Sequence, residues 1–162
     1  MGDLMTAIYP FFEWCETGPL NKIISSHEAI FPAIETFHLF GITLLLGTIL
    51  VTSLRLLGVM LPKQPVAELV NELTPYTTWG LFITLCSGVP MFIGVALKCY
   101  GASWFWVKMG LLTVALTFHF GYFRRVNDAD SPAARNAKLT AIIALSLWFG
   151  VGIAGRSIGF FN

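Results

Sequence analysis

The chain is 162 residues long, 56% hydrophobic and 14% aromatic, with only 12% charged residues and a formal net charge of +1. A soluble domain carries about a quarter charged residues, so a water-facing globule is excluded and an integral membrane protein in a lipid bilayer is implied. The few basic residues are dispersed, which excludes a nucleic-acid-binding surface.

Residues 1–30 read as an N-terminal interfacial segment. They open Met1-Gly2-Asp3 and lack the basic n-region and continuous apolar h-region of a secretory signal. Tyr9-Pro10-Phe11-Phe12-Glu13-Trp14 suits the headgroup layer, where it either anchors the chain or caps the outer mouth of a helical bundle. Residues 31–162 read as an all-α, four-transmembrane-helix bundle. Spans are predicted over 31–57, 74–97 (kinked at Pro90), 103–123 and 138–160, each long enough for a hydrocarbon core of about 20 helical residues. Helix breakers fill the joins at 61–65, 101–103 and 127–132, and joins this short make successive spans antiparallel neighbours. Arg55, Lys63, Arg124, Arg125, Arg135 and Lys138 flank the first and third joins, against Lys22, Lys98, Lys108 and Arg156 on the other side. That bias predicts a multi-pass protein with both termini periplasmic. Cys15 and Cys99 then fall on the outer side, where a disulfide is permitted, while Cys86 is mid-helix. There is no Cys-x-x-Cys, Gly-rich phosphate loop or hydrolase serine motif, so a soluble-type nucleotide enzyme is unsupported.

The informative residues are the ionisable groups inside the spans. Each costs roughly 2.5–3.5 kcal/mol at membrane depth, and so faces a partner, a cavity or a cofactor. Glu35 and His38 stand at i, i+3 on one face of the first span. Lys108 lies five residues, about 8 Å, into the third span from the outer side, and Arg156 of the fourth span reaches a similar height. The four converge on one outer layer; the plainer reading has both cations snorkelling, one of them paired with Glu35. His119, five residues before Arg124, belongs to the opposite half, about 12–18 Å from the height of His38. His27 returns to within about 20° of the His38 face and becomes a further ligand if the helix extends outward past Pro32.

Neutral imidazole binds haem iron, copper or zinc. For haem b, His38 is the first ligand candidate and His119 the next, in one strongly tilted site or two centres. Gly41, Gly47, Gly88, Gly94 and Gly110 offer space, phenylalanines offer walls, and Lys108 or Arg156 meets propionates. Glu35 would orient His38 or carry a proton. A copper site would use His27, His38 and methionines. A di-iron site starts from Glu35-x-x-His38 but lacks the further carboxylates it needs. A lipid or quinone pocket needs no metal.

Phe31-Pro32-Ala33-Ile34-Glu35-Thr36-Phe37-His38-Leu39-Phe40-Gly41, Leu54-Arg55-Leu56-Leu57-Gly58, Lys108-x-x-Leu111, Phe118-His119 and Ala154-Gly155-Arg156 together resemble a family of small, poorly characterised four-helix bacterial inner-membrane proteins. The histidine-led first span is more distantly similar to copper-resistance D-type proteins and four-helix b-type cytochromes. The resemblance implies the bacterial inner membrane and a redox or metal role, without naming a reaction. The expected function is therefore haem b binding in electron transfer, to or from a quinone or a periplasmic redox protein. The alternatives are a copper or proton transport or binding module and an accessory subunit of a membrane complex. Gly150/Ala154 and Gly155/Gly159 permit close helix contact, within the chain or in a homo-oligomer.

Overall fold

A computed structural model describes residues 2–128 and 131–160, and all its regular elements there are helical. They are α1 (Gly2–Thr17), α2 (Pro19–Ile24), α3 (Ile30–Leu56), α4 (Val66–Gly94), α5 (Ala96–Gly101), α6 (Ser103–Gly121), a 3₁₀ turn (Phe123–Asn127), α7 (Pro132–Arg135) and α8 (Ala137–Phe160). Three of them, α3, α4 and α8, are long and apolar enough to cross a membrane. Their outward faces fit that solvent. Phe37, Trp79 and Ile153 are 66%, 61% and 64% exposed, and such apolar surface in water would drive aggregation.

The long helices pack in the order α4–α3–α8–α6. The α3–α4 and α6–α8 pairs are close, and α3 joins them by packing on α8. α4 and α6, consecutive among the long helices, are not close partners, because α5 carries the chain between them. The tightest contact is between α3 and α4. A Cβ added to Gly80 would sit 2.7 Å from the Leu45 nitrogen and 3.1 Å from the Gly41 oxygen. Only a bare backbone on both helices allows that approach. Leu45 and Ile49 of α3 fill the core there, with Ala141, Ala144 and Trp148 of α8 opposite and Ala115 from α6.

Helix α4 begins eight residues before the predicted span. Its first turns carry Glu68, Asn71 and Glu72 and extend the helix beyond the apolar window from which the span was read. Arg55 closes the α3–α4 turn by donating from Nε to the Gln64 carbonyl at 2.8 Å.

Residues 2–24 form α1 and α2, which pack on α5 and the end of α4. Phe12, 4% exposed, is keyed among the rings of Phe92, Tyr100, Phe105 and Trp106. Glu16 accepts the Leu97 N–H at 2.5 Å, satisfying a backbone donor in the first turn of α5. Of the two readings of the N-terminal aromatics, this packing favours the cap. Cys15 and Cys99 are both free and buried in the cap's core.

Candidate functional site

His38 lies on the α3 face that meets α4. Its Nδ1 is 3.0 Å from the Ser87 hydroxyl. Ser87 has one proton to give, and its oxygen is 2.5 Å from the Ile83 carbonyl one turn back. The hydroxyl proton goes to that carbonyl, so the Ser87 oxygen accepts and His38 Nδ1–H donates. The imidazole is thereby held in the Nδ1–H tautomer, and the Thr84 backbone carbonyl is a further acceptor for the ring. Gly88 makes room for the ring: a Cβ there would stand 3.3 Å from His38 Cε1.

Glu35, one turn away, and Lys108 of α6 are both close enough to act electrostatically on His38. The Lys108 side chain runs across Gly155 of α8, whose added Cβ would lie 3.5 Å from Cε and 3.6 Å from Nζ. Lys108 makes no hydrogen bond or ion pair among the described residues, and neither does Glu35. The field of Lys108 also reaches Cys99 in the cap. Burial pushes the Cys99 and Cys15 thiols up from their ordinary range.

The other predicted residues lie elsewhere. Arg156 is exposed, with its guanidinium 4.7 Å from the centre of the Phe160 ring. His27 is exposed in the turn before α3, which starts only at Ile30, so no continuous helix stacks it over His38. His119 is buried against the rings of Phe123 and Trp148, and its Nδ1 has no hydrogen-bond partner among the described residues. It lines a pocket with Thr52 of α3 and Thr74, Thr77 and Thr78 of α4. Fourteen residues of α3, about 21 Å of helix, separate His38 from Thr52. The two imidazoles therefore belong to different heights, and one haem iron cannot take both.

Sequence reasoning missed Ser87. A lone mid-helix serine ordinarily bonds its own backbone, as Ser87 does to Ile83, and only the packing of α4 on α3 brings its lone pair to His38. Among the described residues, no three His, Cys, Asp or Glu side chains stand together as a metal-ion site. The donor set fits a single imidazole ligand beside a free cation. It does not fit a bis-histidine haem or a multi-residue copper centre built from His27 and His38.

Residues 11–161 match a family of unknown function (DUF6644). No curated protein and no solved structure matches the chain. Likeness to copper-resistance D-type proteins and b-type cytochromes thus rests on the sequence motifs alone.

Proposed function

The chain belongs to this DUF6644 family, and we propose that it is a four-helix transmembrane bundle, α3, α4, α6 and α8, that binds one haem b through His38 and serves electron transfer in a bacterial inner membrane. The observation that carries the reading is the His38–Ser87 hydrogen bond. Histidines that ligate metals nearly always donate their other ring N–H to a fixed acceptor, which sets the tautomer and raises ligand basicity. His38 has that arrangement, and Nε2 would be the nitrogen offered to the iron.

Haem b, when bound, supplies the one-electron chemistry. The rest falls to this chain. Lys108, lacking a carboxylate partner, meets an acidic periphery such as a propionate. Glu35 compensates charge near His38 when the oxidation state changes. The α1–α2–α5 cap keeps water from the end of the bundle that carries the site. With both termini periplasmic, this end faces the outer leaflet, within reach of a quinone or a periplasmic redox protein.

A second reading has one observation in its favour, the unpaired Lys108 cation beside the His38 imidazole. In it, the same pair hydrogen-bonds a quinone-type headgroup and no metal is involved. The visible spectrum of the protein purified in detergent separates the two. A Soret band with sharp reduced α and β bands, lost in His38→Ala, is expected for haem. A protein that takes up no haem on reconstitution with hemin, yet binds a short-chain quinone in a His38-dependent manner, replaces the first reading with the second.

A further inference from the structure

The pocket near the Arg124 end lies on the flank of the bundle, where α4 and α6 do not close on each other. Its floor is buried: Thr52 of α3 is 5% exposed and Leu81 of α4 is 6% exposed. Its rim is open, because Thr78, Phe120 and Arg124 are all exposed. The pocket therefore opens sideways, toward whatever surrounds the helices. Thr52 stands three residues before Arg55, and Thr74 follows the polar first turns of α4 with Glu68, Asn71 and Glu72. That register puts the pocket where charged helix ends give way to hydrocarbon, the level of lipid phosphates and acyl esters.

Its polar groups are of two kinds. Thr74 donates to the Val70 carbonyl at 2.6 Å, Thr78 to the Thr74 carbonyl at 2.8 Å, and Thr77 to the Leu73 carbonyl at 3.0 Å or to Thr48 at 2.9 Å. These hydroxyls have committed their protons and show only lone pairs. Thr52 breaks the pattern. Its hydroxyl makes no hydrogen bond among the described residues, and unlike the orphan hydroxyl of Ser53 beside it, it is not sealed off. Arg124 likewise makes no hydrogen bond or ion pair among the described residues, and its guanidinium rests 5.8 Å from the centre of the Phe120 ring. A buried hydroxyl without a partner is costly, and a guanidinium offers five donors. Both call for an acceptor. The volume of about 30 Å³ admits a group of roughly one or two non-hydrogen atoms, since a water alone takes about 10–15 Å³. A whole anion drawn inside would face the threonine lone pairs. A neutral carbonyl on Thr52, with its negative charge left outside on Arg124, avoids that conflict.

We propose that this pocket is a phospholipid site, in which an acyl ester carbonyl accepts from the Thr52 hydroxyl inside and the phosphate of the same lipid pairs with Arg124 at the rim. Guanidinium and phosphate match in charge and can bond through two parallel N–H groups. Phe120, 52% exposed beside the opening, gives the acyl chain an apolar surface to follow along the gap between α4 and α6. The lipid thus fills a flank that the helices leave open, and it satisfies the two donors that they leave unpaired. The proposal rests on the helices spanning a bilayer and owes nothing to haem at His38.

The test is native mass spectrometry of the full chain released from detergent and titrated with synthetic lipids of equal chain length. The probes are dioleoylphosphatidylglycerol, its ether-linked counterpart, which lacks the ester carbonyls, and dioleoylglycerol, which lacks the phosphate. The wild-type chain should retain the ester phospholipid, bind the ether lipid several-fold more weakly, and bind the glycerol about 10-fold more weakly, the scale of one charge-assisted contact. Arg124→Gln should weaken the ester phospholipid by a similar factor of about 10. Arg135→Gln removes the same charge from an exposed position outside the pocket and should change little. Thr52→Val should abolish the difference between ester and ether lipids. Failure of the wild-type chain to retain the ester phospholipid, or equal retention of ester and ether lipids, overturns the proposal without recourse to any variant. Equal losses in the two arginine variants would mean unspecific surface charge, and displacement of the lipid by inorganic phosphate would mean a free-anion site; either overturns it as well. No readout needs a bound chromophore, so failure of the haem reading leaves this one standing.

Discussion

His38 and His119 sit toward opposite ends of the packed helices, and they differ in what holds the ring. His38 Nδ1 is fixed by Ser87, itself fixed by the Ile83 carbonyl, and a carboxyl group and a cation stand near the ring. His119 is deeper, wedged among Phe123 and Trp148, yet none of the described residues claims its Nδ1. Burial and preorganisation are therefore separate properties. A half-buried ring with a committed nitrogen is ready to ligate, because its orientation is settled before any ligand arrives. A fully buried ring with an uncommitted nitrogen has its orientation set by the aromatic rings around it and not by a hydrogen bond. Between them lies the close glycine contact of α3 and α4.

The largest break in that comparison is His38→Ala against His119→Ala. If His38 is the ligand, the first substitution abolishes the haem absorbance and the second retains most of it, read as Soret intensity per protein. Equal loss in both would mean that the height difference does not divide the roles. Next comes Gly80→Val, which places side-chain carbon against the Leu45 backbone. Overpacking costs about 1–3 kcal/mol, and a backbone neighbour cannot turn aside, so the upper end of that range or beyond is expected. Thermal unfolding in detergent measures it, and both sites should suffer because both depend on α4 lying close to α3.

Smaller substitutions sharpen the comparison. Ser87→Ala removes the acceptor of His38 Nδ1–H without touching Nε2. Outer-shell partners of metal ligands typically contribute about 10–100-fold in affinity, so haem titration should weaken by that order. Lys108→Met keeps the length and apolar stem but removes the cation. It should weaken binding of a ligand with acidic groups by about 10-fold, the scale of one charge-assisted contact of about 1.5 kcal/mol, and should leave thermal stability nearly unchanged, since no ion pair is lost.

Much of this fold is legible in the sequence because lipid makes simple demands. The observed α3, α6 and α8 start or end within two residues of the predicted spans, since continuous apolar runs bounded by Gly, Pro and charge leave few choices. The height difference between His38 and His119 comes from counting residues to Arg55 and Arg124. What could not be read is contact. No periodicity announces that Phe12 enters a ring of four aromatics 80 or more residues away. Nor does any motif announce that Ser87 lies opposite His38, or that Arg156 turns outward to Phe160. Those are outcomes of packing, decided by small-residue contacts such as Gly41 with Gly80, whose partner is visible only once the helices are assembled.

The smallest expected effect concerns the cap, which covers the His38 end, whereas the Arg124 end is closed by the 3₁₀ turn and α7 packed on the long helices. Cys15 and Cys99 are buried in its core, and burial pushes both thiols above their ordinary range. Thiolate is the form that alkylates. A water-soluble maleimide should therefore label neither cysteine appreciably at neutral pH, and labelling should begin only above the usual thiol range. The sign for stability runs the same way. A thiol whose folded value is raised favours the folded cap below the unfolded value, and that contribution is lost as pH rises through the folded one. Phe12→Ala empties the ring cage and should cost about 3–5 kcal/mol of cap packing. Both thiols should then label at neutral pH while the long helices keep their helical signal. Rapid neutral-pH labelling of the unmodified chain would instead show that the cap opens readily and exposes the His38 end to water.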